Sequence, residues 1–397
     1  MPDISLMPVA GMNTEADDKE LFRAGDSPRH YVRDAVNLKV NSAGEIELRP
    51  GRQKVTDAPV KNLWQSPLHQ DVFGTLGDQW VRVLDTQTWE CAPLALIGKG
   101  KVYHEVVNNQ VMAAGPNGIY TYNGSKGSRM DLDAPPAPFV SVGSGSMKPG
   151  TYGVAIAWLR GGLESPLSEA SFVEIEEEGG LSITFPLDLE GVTTGVRVYM
   201  TKANGKELLR EKDYPAQNSL VSIPSIPKLG KSSSFRYLSR MQTGKYLKYW
   251  RGRVMVAQAN VIRFSEALAY HLHDERHGFI QMPQRITFLQ PVTGGIWVGQ
   301  VDHVAFLQGS DLDQMTVIRK TAKPPVPDSC VLVDSDAIGS DLGAGGDGAA
   351  LWLAQNGYVL GTASGQLVEL HRGVMGGITA RTGTSVVLDH EVITAVT

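Results

Sequence analysis

Residues 111–120 read Val-Met-Ala-Ala-Gly-Pro-Asn-Gly-Ile-Tyr, an apolar run broken by a turn signal and then resumed. Asn117-Gly118 between apolar runs marks a tight hairpin, because Asn and Gly accept the backbone conformations that a short turn between twisted strands requires. Four more stretches follow the same pattern. Val72-Phe73-Gly74 turns at Gly77-Asp78 into Trp80-Val81, and Val254-Met255-Val256-Ala257 turns near Asn260 into Val261-Ile262. Ile296-Trp297-Val298-Gly299 turns near Asp302 into Val304-Ala305-Phe306, and Leu351-Trp352-Leu353-Ala354 turns at Asn356-Gly357 into Tyr358-Val359. In chain order the starts lie about 39, 143, 42 and 55 residues apart, and four-stranded propeller blades recur at roughly 40 to 50 residues. One interval is far too long.

That long interval holds a segment of different character, from the proline-rich Ala134-Pro135-Pro136-Ala137-Pro138 to about Ser225. Within it Thr151–Trp158 alternates as a half-buried strand does, and Phe172–Ile175, Leu181–Phe185 and Val196–Met200 follow as further short strands, the pattern of a β-sandwich. Removing about 90 residues from the interval leaves roughly 53, one ordinary blade spacing. The expected fold class is therefore all-β: a β-propeller-like body with an inserted sandwich. The expected division is an N-terminal arm and first blades over 1–132, the sandwich over 133–225, and the remaining blades over 226–397.

Composition agrees with this fold and narrows the function. The 43 glycines and 22 prolines fall between short apolar runs, as turn residues do in all-β chains. With 42% hydrophobic and 20% charged residues and a net charge of −5, the chain is neither a disordered tail nor an evenly basic nucleic-acid coat. No stretch approaches the roughly 20 apolar residues of a membrane span. The N-terminal Met-Pro-Asp-Ile-Ser-Leu-Met-Pro carries an acid where a signal peptide needs a basic and then an apolar run, so the expectation is a protein used without cleavage. Cys91 and Cys330 are the only cysteines, too few for a disulfide framework or a four-thiolate zinc site.

Pro149-Gly150-Thr151-Tyr152, Ala157-Trp158, Glu164-Ser165-Pro166-Leu167-Ser168 and Val196-Arg197-Val198-Tyr199-Met200-Thr201 resemble the fibronectin type III-like modules of bacteriophage tail proteins. Upstream, Arg33-Asp34-Ala35-Val36-Asn37-Leu38 and Gly44-Glu45-Ile46-Glu47-Leu48-Arg49-Pro50-Gly51 resemble the opening of phage tail propeller proteins. Downstream, Arg253 to Ala257, Phe264-Ser265-Glu266 and Pro291 to Gly299 resemble later blades of the same proteins. The order of these motifs is more distinctive than any one of them, and the chain is compact beside the large tail nozzle proteins of short-tailed phages. The resemblance implies a virion protein, made in the host cytoplasm, that forms a homo-oligomeric ring around the DNA exit path. It implies sixfold symmetry for a nozzle or threefold for a tail tip, with adaptor and fibre proteins as neighbours.

No catalytic or cofactor motif competes with this reading. His271-Leu272-His273-Asp274-Glu275-Arg276-His277 places His at i and i+2, on one face if the segment is a strand; without a distant ligand pair it reads as a polar loop joining two blades. His303 and His371 lie beside apolar strands as surface or core residues. Gly343-Ala344-Gly345-Gly346-Asp347-Gly348 matches a dinucleotide-loop spelling, but a strand follows where a helix is needed. Gly230-Lys231-Ser232 ends like a phosphate loop, yet Ser225 stands where its first glycine belongs. Glu176-Glu177-Glu178 before Gly179-Gly180 reads as a solvated hairpin tip. Carboxylate pairs for glycoside hydrolysis are set by a separation of roughly 5–10 Å that sequence does not display.

The expectation is accordingly a structural, non-enzymatic protein without cofactor or metal. Its most basic region holds Arg236, Arg240, Lys245, Lys248, Arg251 and Arg253, interleaved with Tyr237, Tyr246, Tyr249 and Trp250. These six cations are the candidate subunit contact, facing acidic Glu174–Glu178 or Glu15-Ala16-Asp17-Asp18 of a neighbour. DNA is expected to pass without sequence-specific binding, since a lumen lined with Lys and Arg would retain phosphate. The alternative function is a carbohydrate-binding or carbohydrate-cleaving receptor module of a virion.

Overall fold

The computed structural model describes residues 8–23, 29–41, 43–49, 51, 53–189, 191–235, 237–338, 348–388 and 391–397. Each of the five apolar runs becomes the second strand of a four-stranded antiparallel sheet, and the residues after its turn become the third. The first sheet comprises Val60–Gln65, Val72–Leu76, Gln79–Val83 and Cys91–Leu96. The second comprises Tyr103–Val107, Gln110–Gly115, Gly118–Tyr122 and Gly127–Arg129, and the third Lys245–Trp250, Arg253–Gln258, Val261–Phe264 and Phe279–Gln281. Ile286–Val292, Gly295–Gln300, Val304–Gln308 and Thr316–Lys320 make the fourth; Val331–Val333, Ala349–Ala354, Gly357–Gly361 and Leu367–Glu369 make the fifth. The protein is all-β, with one short α-helix at Ser335–Ile338 and two 3-10 turns at Asp18–Glu20 and Leu312–Gln314 among the described residues.

Two of the turns sit one residue earlier than their sequence suggests. Gly115 pairs with Gly118 and Ala354 with Gly357, so Pro116-Asn117 and Gln355-Asn356 form the two-residue loops. The glycine then follows the loop in a backbone region hostile to side chains, at φ 146° and 97° respectively.

Neighbouring sheets meet chiefly through their first strands, with the second strands covered beside them. Gly295–Gln300 and Ala349–Ala354 are buried along their whole length, because both faces are covered; this is why they read as continuous apolar runs and not as alternating ones. Trp297 of the fourth sheet lies 5.5 Å, ring to ring, from Trp352 of the fifth, and Phe288 lies 5.2 Å from the same Trp352. The Trp297 indole N–H donates to the Thr362 carbonyl at 2.9 Å, so its polar atom is satisfied inside the core.

The segment between the second and third sheets folds as two facing sheets. Phe139–Met147, Gly179–Thr184 and Leu220–Ile223 form one; Gly150–Arg160, Leu163–Glu164, Ser171–Ile175, Gly195–Met200 and Leu209–Pro215 form the other. Met147, Tyr152, Ile156, Leu181, Ile183 and Val198 are buried between them, as in a sandwich. Strands 171–175, 150–160, 195–200 and 209–215 lie side by side, the C′–C–F–G order of immunoglobulin-type sheets. Glu176–Glu178 is exposed as expected but is no hairpin tip, because it carries the chain from one sheet across to the other.

Polar contacts fix this sandwich to the body. The Arg160 guanidinium donates to the carbonyls of Arg129, Met130 and Asp131 at 2.7, 3.2 and 2.9 Å. His271 donates from Nε2 to the Glu164 carbonyl at 2.9 Å. The expectation of a polar connecting loop over His271–His277 is corrected here. Leu272–Asp274 is a strand paired with Leu238–Arg240, and His271 and His273 are both buried. Leu272 is itself fully buried, which draws its neighbours into the interior.

After the fifth sheet the chain ends in a hairpin, Gly383–Leu388 with Glu391–Val396. It is joined to the N-terminal segment by the Lys39–Glu391 ion pair. A second tie runs from the Thr14 amide to the Val374 carbonyl at 2.9 Å.

Candidate functional site

The first strands of all five sheets, together with the terminal hairpin, border a single cavity of about 790 Å³. Its polar walls come from different sheets. Lys101 Nζ lies 3.1 Å from Asp328 Oδ1, and the Tyr103 hydroxyl donates to the same oxygen at 2.9 Å. Thr382 donates to the other Asp328 oxygen at 3.1 Å. Lys248 of the third sheet reaches Glu105 of the second at 3.5 Å. Burial, then the adjacent Asp328 carboxylate, push the Tyr103 phenol far above its ordinary range, so it remains a donor. Burial likewise raises the Cys330 thiol, which leaves it a poor nucleophile.

His104 borders the cavity as well, stacked on Trp64 at 5.1 Å between ring centroids. Burial lowers its pKa to about 3, and its Nε2 accepts the Trp80 indole N–H at 3.2 Å. A neutral imidazole whose lone pair is already engaged is not placed to take a substrate proton. The arrangement suits holding a polar ligand: two lysines and two carboxylates in matched pairs, with hydroxyl, amide and aromatic groups between them.

Two smaller hollows adjoin it. One of about 460 Å³ shares Asn62 and Lys101 with the central cavity and adds Lys61 and Lys99 to its wall. The other, of about 450 Å³, shares Glu105 and Lys248 and adds Arg251.

The candidate contact residues are scattered over this landscape. Arg240 lies at the sandwich joint, 2.7 Å from Asp133 and 3.5 Å from Asp131. Lys245 is exposed at the start of its strand. Lys248 borders the central cavity. Arg251 occupies a turn at φ 45° and donates to the Thr293 carbonyl at 3.0 Å. Arg253 donates to the Ser265 carbonyl at 2.6 Å with Glu266 at 3.8 Å. Arg236 falls outside the described residues, as do positions 343–347 of the glycine-rich stretch. Of the interleaved aromatics, Tyr246 and Trp250 are buried while Tyr237 and Tyr249 are exposed. Alternation along a strand sends neighbouring residues to opposite faces, and three of these arginines hold intramolecular contacts.

Three further histidines are used internally, while His277 is exposed beside Asp274. His273 bonds the Phe264 carbonyl through Nδ1 at 2.8 Å and lies 2.9 Å from Arg263 through Nε2. His303 is buried against Gln300 and Asp302, and His371 accepts the Tyr358 amide. Among the described residues no three His, Cys, Asp or Glu side chains are grouped closely enough to hold a metal ion. Sequence reasoning missed Lys61, Lys99, Lys101, Glu105 and Asp328, since no local motif joins them. The only trace is that they lie on, or just before, the strand that opens a sheet.

No protein-family model matches the chain, and no curated protein matches it either. Among solved structures, a functionally unknown protein from Desulfotomaculum acetoxidans is similar over 82% of this chain and 89% of its own, at 11% identity and a TM-score of 0.34. The computationally designed Ika8 protein is similar over 86% and 95%, at 12% identity and a TM-score of 0.27. Sqt1 of Saccharomyces cerevisiae is similar over 81% and 76%, at 10% identity and a TM-score of 0.32. Among the described residues no helix is long and apolar enough to cross a membrane.

Proposed function

We propose that the five sheets and the terminal hairpin form a propeller-like body, and that the protein is a structural component of a bacteriophage tail. In this reading it is a homo-oligomeric ring, nozzle or tail tip, whose task is mechanical. The observation that carries the reading is the surface of the sandwich. Phe139, Phe172 and Leu189 are 70%, 66% and 90% exposed there, and Leu187 and Leu220 are exposed on the same module. Large apolar side chains held this far into solvent are the kind that a partner protein covers. The order of sequence motifs supports a tail protein as the setting. Averaged images of purified virions, with a tag inserted at the exposed Glu176–Glu178 turn, test it. Six or three equivalent tags around the tail axis are expected; a single copy, or tags absent from the tail, would overturn the ring.

A second reading, a carbohydrate-binding receptor module of the virion, is favoured by the central cavity. Its volume lies within the roughly 300–1,000 Å³ typical of ligand sites.

A further inference from the structure

The charges around the cavity are not evenly distributed. Inside it, Lys101 answers Asp328 and Lys248 answers Glu105, so the interior is close to electroneutral. At the hollow beside Asn62 the balance changes. Lys61, Lys99 and Lys101 line it, and no carboxylate does. Among the described residues neither Lys61 nor Lys99 forms an ion pair, and both are exposed. With Lys101 held by Asp328, Lys61 and Lys99 make that hollow positive, while the adjoining cavity is neutral but rich in hydrogen-bonding groups.

A simple polyanion matches this badly, because its inner charges would meet Glu105 and Asp328, whose cations are already engaged. A purely neutral ligand leaves the lysines unused. Tyr103, Gln290 and Thr384 offer hydrogen bonds inside, while Leu289, Val331 and Tyr246 offer apolar surface between them. That mixture suits a sugar ring, whose C–H face is apolar and whose edge carries hydroxyls.

We propose that the central cavity takes an acidic sugar unit, its ring among Tyr103, Gln290 and Thr384 and its anionic group at Lys61, Lys99 and Lys101. This inference rests on the receptor-module reading and names its ligand class; it is independent of the ring. The acid is a carboxylate or a sulfate, and the probes separate the two.

The test is calorimetric titration of the full chain with three tetrasaccharides: a uronate, a sulfated one and a neutral one. Saturable binding of an acidic tetrasaccharide is expected, weakened by added salt because exposed charges are screened. The K61E/K99E variant should weaken acidic binding by about tenfold or more, since like charges then face the anion. Its melting temperature should not change, both lysines being exposed. Equal affinity for the neutral tetrasaccharide, untouched by the variant, would overturn the acidic preference and leave the receptor reading standing. No binding of any saccharide would overturn both. Tighter binding of a single-stranded oligonucleotide than of any saccharide would show the lysines to be a general polyanion contact and overturn the sugar assignment.

Discussion

His104 links the buried centre of the molecule to its response to pH. Its neutral ring accepts the Trp80 N–H at 3.2 Å and stacks on Trp64. Burial holds its pKa near 3, against about 6.5 in an unfolded chain. Between these two values the unfolded state binds a proton that the folded state refuses, so stability is lost as pH falls through that window. From pH 7 to pH 4.5 this one residue should remove about 2 kcal/mol. The His104→Gln variant loses the indole contact and the refused proton together, so the gap in urea midpoint between it and the parent should narrow as pH falls over that range. Parallel pH profiles for the two proteins would contradict the assignment.

At the scale of elements, sheet is fitted to sheet by aromatic rings laid on glycines. A Cβ at Gly361 of the fifth sheet would lie 2.4 Å from the Trp297 ring of the fourth, and within the fourth sheet one at Gly299 would lie 2.2 Å from its cross-strand partner Phe288. The Gly361→Ala variant should therefore cost about 1–3 kcal/mol, the usual penalty of overpacking a core, whereas Gly51→Ala, with open space around it, should be neutral. Chemical denaturation of the pair checks this. Inside the sandwich, Glu164 bonds Arg197 and accepts the Tyr199 hydroxyl at 2.6 Å while its carbonyl receives His271. Asp213 also holds Arg197, at 2.7 Å, so Glu164→Gln should leave that cation paired. The expected loss is about 2 kcal/mol, below that of stranding a buried charge altogether.

Across the whole molecule, the terminal hairpin supplies the last piece of wall around the cavity. Thr384 and Ser385 border it, and the Gly383 amide donates to the Pro327 carbonyl at 2.7 Å, one residue before Asp328. Truncation after Thr382 should lower the melting temperature by about 4 °C, the shift that a few kcal/mol produces in a chain of this size. It should also weaken any cavity ligand. Replacing 133–225 by a short Gly/Ser linker should leave a folded but less stable remainder. That change removes the Arg160 and Glu164 partners of the joint while leaving the five four-stranded sheets intact. Aggregation of the remainder, with the excised segment unfolded, would mean that the two share one core.

The sequence by itself determined the five hairpins and the segment of different pairing between the second and third of them. Val72, Val111, Val254, Ile296 and Leu351 each open an apolar run with a turn a few residues on, and strand pairing across a short turn is a local property of the chain. What lay beyond local pattern went differently. His271 and His273 look like loop residues in a polar string, yet the pairing of 272–274 with 238–240 buries them. The six cations from Arg236 to Arg253 look like one basic face, yet Arg240 serves the joint and Lys248 the cavity. Lys61, Lys99, Lys101, Glu105 and Asp328 share no motif, because the cavity and the hollow beside it are bordered by segments far apart in the chain. Only the tertiary structure decides which of them meet, since Lys101 and Asp328 are brought together across the cavity by sheets packing on sheets and not by their distance along the chain.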